Sequence, residues 1–237
     1  MLRNALARAR ALTVDLPTTM RDRRDERHLE LLFAFTLAEN SNCIDVGAFT
    51  GTVLRRIVRC APRGRHIGYE PIPRLHARLV EEFPRVDVRR AALSDHRGDK
   101  TFVDVSDEPA LSGFRERAYS HDVSRRRIEV PVEDLDSSLP PDYVPALIKI
   151  DVEGAELEVL RGAIQTISRH KPVVVFEHGK GAAPAYGTRP ADVHELLCGE
   201  AGLRLFDIDG NGPLSVDAFT ETFERGRVWN FVAHAGR

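Results

Sequence analysis

Cysteine is scarce in this 237-residue chain: Cys43, Cys60 and Cys198 are all there is. No two of them lie close together, so neither a metal knuckle nor an even disulfide framework is available. A reducing, cytoplasmic setting is the expectation, with Cys43 packing as a small hydrophobe. No apolar run is long enough to span a bilayer. The opening M-L-R-N-A-L-A-R-A-R-A-L has arginines interrupting its apolar stretches and lacks the core of a secretory signal. Residues 1–40 read instead as a helical cap packed on the main domain. Excess charge is missing too. A formal net charge of −2 gives no global pull on nucleic acid. The run Arg125-Arg126-Arg127 leads into the alternation Ile128, Val130, Val132 and reads as the solvated start of a strand. A site for an anionic substrate or partner is the other reading. No flexible linker, low-complexity tract or internal repeat divides the chain, and 42% hydrophobic residues suit one α/β domain with appendages.

What is present is alternation. Residues 24–38 place Leu29, Leu32, Phe33 and Leu37 at helical spacing. Next come a strand over 43–46, a helix over 52–60, a strand over 65–70, a helix over 73–83 opened by Pro73, and a strand over 86–93. Then the pattern breaks. Residues 100–105 and 127–132 alternate like two strands of an antiparallel insert. A strand over 147–151, one helix over 155–167 and the unbroken apolar run at 172–177 resume the buried core. A helix over 192–200 and strands at 203–207 and 228–234 complete the chain, with a turn cluster from Asp209 to Pro213 between the last two. The fold class is α/β: a doubly wound, mostly parallel sheet with an antiparallel terminal strand and helices on both faces.

Two early strand exits carry acids. In Asp45-Val46-Gly47-Ala48-Phe49-Thr50-Gly51, Gly47 lets the chain turn sharply and a ligand approach the backbone. Gly51 relieves crowding at a helix start. Plain fold punctuation would use the same letters. Glu70 ends the next strand, where an acid can accept hydrogen bonds from ribose hydroxyls. A dinucleotide would want a second glycine where Phe49 stands and would set its pyrophosphate beside Asp45. S-adenosylmethionine has no phosphate, and its ammonium and sulfonium suit Asp45, so charge matching favours it. Ala92-Leu93-Ser94-Asp95, after the third strand, falls in the place for the adenine, although an ordinary strand exit reads alike.

The blocks D-V-G-A-F-T-G (45–51), Y-E-P (69–71), A-L-S-D-H-R-G (92–98), L-I-K-I-D-V-E-G-A-E-L-E-V-L-R-G-A (147–163), V-V-V-F-E-H (173–178) and N-F-V-A (230–233) resemble the FkbM-type family of S-adenosylmethionine-dependent methyltransferases. The likeness runs from about Asn42 to Ala233. It implies a class I, Rossmann-like methyltransferase domain over 41–237 and O-methylation of a hydroxyl on a sugar or secondary metabolite. By position it implies Asp45, Gly47, Ala48 and Gly51 at the methionine end, Glu70 at the ribose, and Ala92, Leu93 and Ser94 at the adenine. The family often has asparagine where this chain has Phe49.

Methyl transfer needs an acceptor oxygen held in line, its proton removed and water excluded. Asp151 at one core-strand exit and Glu177 and His178 at the next can converge, since neighbouring strands lie roughly 5 Å apart. Two schemes fit. In one, His178 or an acid is the general base. In the other, Asp151 and Glu177 hold a divalent cation, magnesium by its preference for oxygen ligands. Glu153 reads as a substrate contact or a helix-start cap. Lys149 shares a face with Asp151 and reads as a member of an internal ion pair rather than a base. Glu156 and Glu158 read as helix surface. Loop 179–190, rich in glycine and proline, reads as a substrate lid; His96 reads either as reaching the site or as exposed in the insert, and Tyr119 and His121 have no assigned role. The acceptor expected is a small-molecule or glycan hydroxyl, with the oligomeric state left open. A nicotinamide-dependent oxidoreductase and a non-catalytic ligand-binding domain are the competing readings.

Overall fold

The computed structural model describes residues 16–116 and 121–236, with side chains from Met20 onward. The first fifteen residues of the expected cap, and Tyr119, lie outside the described residues. Helix α1 (Leu16–Thr36) leads into β1 (Asn42–Val46), α2 (Thr52–Cys60), β2 (His66–Tyr69), α3 (Pro73–Glu82) and β3 (Asp87–Arg89). The single strand expected over 86–93 is two. β3 forms the edge of the main sheet, whereas β4 (Ala92–Leu93) crosses to a second sheet. There it pairs with β6 (Arg125–Glu133), which is antiparallel to β5 (Gly98–Val105).

After the insert come α4 (Leu135–Ser138), β7 (Pro145–Ile150), α5 (Glu156–Arg161), α6 (Ile164–His170) and β8 (Val173–Glu177). The chain continues through α7 (Ala183–Tyr186), α8 (Pro190–His194), which runs on into a wider π-helical turn over Glu195–Glu200, β9 (Arg204–Asp207), α9 (Val216–Arg225) and β10 (Asn230–His234). The main sheet has seven strands in the order β3-β2-β1-β7-β8-β10-β9. All run parallel except β10, which is antiparallel to both neighbours. The strand order reverses between β1 and β7, and in such sheets a crevice opens outside the carboxyl ends at that point.

Both faces of the sheet are covered, which is why its central strands are apolar throughout rather than alternating. On one face Ile44, Ile148, Ile150, Val174 and Phe176 pack with Leu160, Leu197 and Phe219. On the other, Cys43, Leu147, Val175 and Val232 meet Leu29 and Phe33 of α1 and Ile57 of α2. Helix α1 is further held by the turn after β9, where Asp209 pairs with Arg21 and Arg24, each at 2.9 Å, and with His28 at 3.1 Å. No helix among the described residues is long and apolar enough to cross a membrane.

The insert is pinned rather than loose. Asp104, fully buried, accepts hydrogen bonds from Arg74 of α3 at 2.8 Å and from Arg126 at 3.1 Å. Arg127 and Arg125 pair with Glu116 at 3.1 and 3.7 Å, so the arginine run is matched within the insert as β6 begins. The loop expected as a substrate lid is docked on the insert. Its middle forms α7, and the Tyr186 hydroxyl accepts the Phe114 N–H at 3.0 Å.

Helix α1 starts before the expected residue 24, α4 and α7 were not expected, and two further helical details depart from the sequence reading. Helix α9 was not expected; Ser215 caps it by accepting the Ala218 N–H, and Phe219 and Phe223 bury its inner face. The helix expected over 155–167 is broken into α5 and α6. Gly162 lies at the break, where an added Cβ would sit 2.0 Å from the Ser94 carbonyl oxygen. The Asp136 carboxylate then starts α6 by accepting the N–H groups of Gln165 and Thr166 at 3.0 and 2.8 Å. Gly162 has an ordinary helical φ of −71°, where alanine would usually stabilise. Here the sign reverses: Gly162→Ala should lower unfolding free energy by about 2–4 kcal/mol, read by urea titration. A neutral or stabilising outcome would show that the Ser94 contact yields freely.

Candidate active site

Gly47 turns the chain at the end of β1 with φ +82°. A Cβ on it would lie 1.9 Å from the Asp151 carbonyl oxygen, so the turn after β1 and the exit of β7 touch through backbone. Phe49 also has positive φ, +47°, a conformation that costs a non-glycine residue about 1–2 kcal/mol. Its N–H donates to Glu70 Oε2 at 2.9 Å, and the Ile72 N–H donates to Oε1 at 2.8 Å. Glu70 is thus locked by two backbone donors at the exit of β2. Burial pushes its pKa up to about 7, against the lowering effect of those two hydrogen bonds.

A mostly apolar crevice with a cavity volume of about 150 Å³ runs from Gly47 past Glu70 to the insert. Ile72, Ala92 and Leu93 form its inner wall, and Phe102 and Phe114 of the insert form the outer one. The expected cofactor residues therefore divide. Gly47, Glu70, Ala92 and Leu93 line the crevice, while Ala48 lines the adjoining cavity. Asp45, Gly51 and Ser94 line neither. Asp45 lies beneath the turn, 1% exposed, with one carboxylate oxygen lacking a hydrogen-bond partner among the described residues. Burial raises its pKa to about 7, with Lys149 opposing. Gly51 abuts Phe83 and Leu79. The Ser94 hydroxyl donates to Glu158 at 3.0 Å, facing away from the crevice. The aromatic pair from the insert was not foreseen as part of the site. The inward phase of Phe102 in the strand alternation was the available signal.

The acids beyond the crevice are placed by strand register. Asp45 pairs with Lys149 across β1–β7, and Lys149 with Val175 across β7–β8. Two residues further on, Asp151 and Glu177 therefore project from the same face. Lys149, 2% exposed, places Nζ 3.1 Å from Asp151 Oδ2. Burial opposes its charge, but Asp151, Glu177 and Asp45 together hold its pKa above the ordinary lysine value. Glu177 makes no hydrogen bond or ion pair with another described side chain. Its pKa is raised well above the usual carboxylate value by burial first and then by Asp151, Glu153 and Glu156.

These groups open into a second cavity, lined also by Asp25, Glu26, Trp229 and Asn230. Gly47, Phe49 and Asp151 line both cavities, which therefore meet at the exit of β7. Glu153, with φ +57°, lines the first crevice. Glu156 is not on the helix surface as expected. It is 2% exposed and accepts the N–H groups of Val152 and Gly154 at 3.2 and 3.0 Å, bracing the Asp151–Gly154 turn. Burial raises its pKa to about 7. Glu158 is half-buried, receiving Ser94 and Lys100.

His178 is not brought to the site. Neighbouring residues on a strand point to opposite faces, and His178 is fully buried with its ring centroid 5.0 Å from that of Phe223 and 5.7 Å from that of Phe219. Burial lowers its pKa to about 4, and it lines neither cavity. Nor do the donors suit magnesium. Asp151 is engaged by the Lys149 ammonium, and among the described residues no group of three histidine, cysteine or acidic side chains is arranged to hold a metal ion.

A family profile for the Methyltransferase FkbM domain matches residues 45–205. The chain belongs to the FkbM methyltransferase family. Among curated proteins, "Hexuronic acid methyltransferase AglP" of Haloferax volcanii is 30% identical over 185 residues, covering 75% of this chain and 70% of that protein. "AMB antimetabolite synthetase AmbE" of Pseudomonas aeruginosa is 27% identical over 176 residues, 58% of this chain but 8% of that protein. The solved FkbM methyltransferase of Methylobacillus flagellatus KT superposes with TM-score 0.52 at 16% identity, over 84% of this chain and 44% of that one. An O-methyltransferase from Bacillus cereus, solved in complex with SAH, superposes with TM-score 0.50 at 12% identity, over 90% and 80% of the two chains. The fold of this FkbM chain is the class I, Rossmann-like methyltransferase fold. Family membership replaces the nicotinamide-dependent oxidoreductase reading.

The raised carboxyls have a consequence for stability. Asp45, Glu70 and Glu156 keep protons in the folded chain up to about pH 7, whereas the unfolded chain has lost them. His178 and His66, whose pKa values are lowered by burial, are neutral in both states above their ordinary pKa. From about pH 6.5 to about pH 8 the folded state therefore binds more protons, and stability falls as pH rises. The melting temperature of the ligand-free FkbM chain should drop across that window. Glu156→Gln, which keeps the acceptor for Val152 and Gly154, should shrink the drop and be more stable than the parent near pH 8. A melting temperature that climbs over the same range contradicts the raised values.

Proposed function

We propose that this chain is an S-adenosylmethionine-dependent O-methyltransferase acting on a hydroxyl of a sugar-bearing or secondary-metabolite acceptor. The observation that carries the reading is the meeting of two unlike cavities at Gly47, Phe49 and Asp151. One is apolar with a locked carboxyl group, and the other is acidic with a carboxyl group that has no hydrogen-bond partner among the described residues. The name of the Haloferax volcanii relative, a hexuronic acid methyltransferase, supports a sugar-type acceptor. Residues 41–237 are assigned to the methyltransferase domain and residues 1–40 to its cap.

The first crevice fits the donor. Glu70, already oriented by two backbone N–H groups, offers its remaining lone pairs to the ribose hydroxyls. Ile72, Leu93, Phe102 and Phe114 offer apolar faces for the adenine. Gly47 and Asp151 receive the methionine end, where the field of Asp151, with Asp45 beneath, suits positive charge. S-adenosylmethionine supplies a methyl group on a cationic sulfur, electrophilic without further activation.

The chain's own task is to position the acceptor hydroxyl and take its proton. Glu177 does the latter. Its raised pKa makes it a stronger base than an exposed carboxylate while leaving it able to ionise. Lys149 holds Asp151 in place and balances part of the negative charge. Glu177 must be ionised to act, so turnover rises as pH climbs through its elevated pKa.

S-adenosylhomocysteine should raise the melting temperature of the full chain, and incubation with donor and acceptor should give products heavier by one methyl group. Glu70→Ala should weaken donor binding by about 1–3 kcal/mol through the lost hydrogen bonds. Glu177→Gln should cut turnover about 10²–10⁴-fold with donor affinity kept, and abolish the rise of rate with pH. Asp151→Asn should also cut turnover more than donor affinity. Unchanged turnover in Glu177→Gln removes it as the base.

A further inference from the structure

We infer that the second cavity is the acceptor site and that it selects polyhydroxylated rings without negative charge, either neutral or amino-substituted. This deepens the methyl-transfer reading above and rests on it. The cavity adjoins the donor crevice at Asp151 and Gly47, so a ligand seated in it has direct access to the donor's reacting end. One wall comes from helix α1, through Asp22, Asp25 and Glu26. The leading helix is thus part of the recognition surface.

Trp229 gives the cavity an aromatic side. The Arg21 guanidinium stands 5.9 Å from its ring centroid, and its Cβ is close to Gly179. A braced aromatic ring surrounded by carboxylates and an amide suits a sugar: the apolar C–H face of the ring stacks, and the hydroxyls donate to the acids. Glu177 reaches the cavity with no hydrogen bond from a described residue, which leaves its oxygens for an incoming hydroxyl.

Charge narrows the class. Asp22, Asp25, Glu26, Asp151 and Glu177 face the cavity against Lys149 and Arg56. Lys149 is paired with Asp151 at 3.1 Å, and Arg56 with Glu26 at 3.2 Å. Asp25 accepts Asn230 at 3.0 Å and meets Arg21 at 2.7 Å. No lining cation among the described residues is left to receive an anion. A carboxylated or phosphorylated acceptor would enter a negative field and raise the pKa of Glu177 further. A neutral ring escapes this, and an ammonium group gains from it.

Trp229 is the chain's single tryptophan, so its emission reports on this cavity alone. The probes are methyl glycosides of gluco, galacto and manno configuration in neutral, 2-amino and uronate forms, titrated into the full chain saturated with S-adenosylhomocysteine. Neutral and amino glycosides should shift the emission saturably, with uronates binding about tenfold more weakly or worse. In Asp22→Asn/Glu26→Gln, which alters only exposed carboxylates of α1, the gap should narrow about fivefold while calorimetry shows S-adenosylhomocysteine affinity unchanged. Uronates binding as tightly as their neutral partners would overturn the charge selection. Silence of Trp229 toward every glycoside, with S-adenosylhomocysteine bound, would overturn the cavity as acceptor site. Failure of S-adenosylhomocysteine to bind in the same calorimetry strikes the methyl-transfer reading itself.

Discussion

The backbone contact between Gly47 and Asp151 is the constraint on which the site depends. It holds the turn after β1 against the exit of β7, at the point where the sheet reverses its winding. Any side chain at Gly47 would force those two strand ends apart. Because they touch, the apolar crevice and the acidic cavity share a rim rather than standing as separate pockets. Glu70 is fixed through the same turn, since Phe49 supplies one of its two N–H donors. Geometry set by one missing Cβ therefore reaches both Glu70 in the apolar crevice and the acids that line the second cavity.

The second organising feature is an excess of buried acid. Asp45, Glu70 and Glu156 are each 3% exposed or less, and Glu177 lies close by. Lys149 is the buried cation set among Asp45, Asp151 and Glu177. Buried charge without full compensation is costly, and the raised pKa values are its expression. Glu156 and Glu70 serve as braces: Glu156 holds the N–H groups of Val152 and Gly154, and Glu70 those of Phe49 and Ile72. Glu177 braces no described residue, and that difference separates it from the supporting carboxylates.

Much of the architecture was legible because the central strands are unbroken apolar runs ending in acids. β1, β7 and β8 lie within a residue or two of their expected positions. The split of 86–93 was hidden, since β4 is defined by its pairing with Val132 and Glu133 far along the chain. The break at Gly162 depends on a carbonyl from Ser94 that no local pattern announces. Helix α9 was readable in principle from Ser215 and the Phe219–Phe223 spacing, but the preceding turn cluster masked it. At the site, strand ends delivered Glu70, Asp151 and Glu177 correctly to one edge. A wholly apolar strand gives no parity, so β8 alone could not say whether Glu177 or His178 faces the cavity. Register with Lys149 settles it for Glu177. The insert aromatics and the α1 wall come from tertiary docking, beyond the reach of local spacing.

Phe49 carries one more implication. It stands on the shared rim, 36% exposed, in a backbone conformation that glycine or asparagine would hold at less cost. Replacement by either would be expected to firm the fold while stripping a phenyl face from the seam between the two cavities. Backbone ease and the lining of that seam pull in opposite directions at this position.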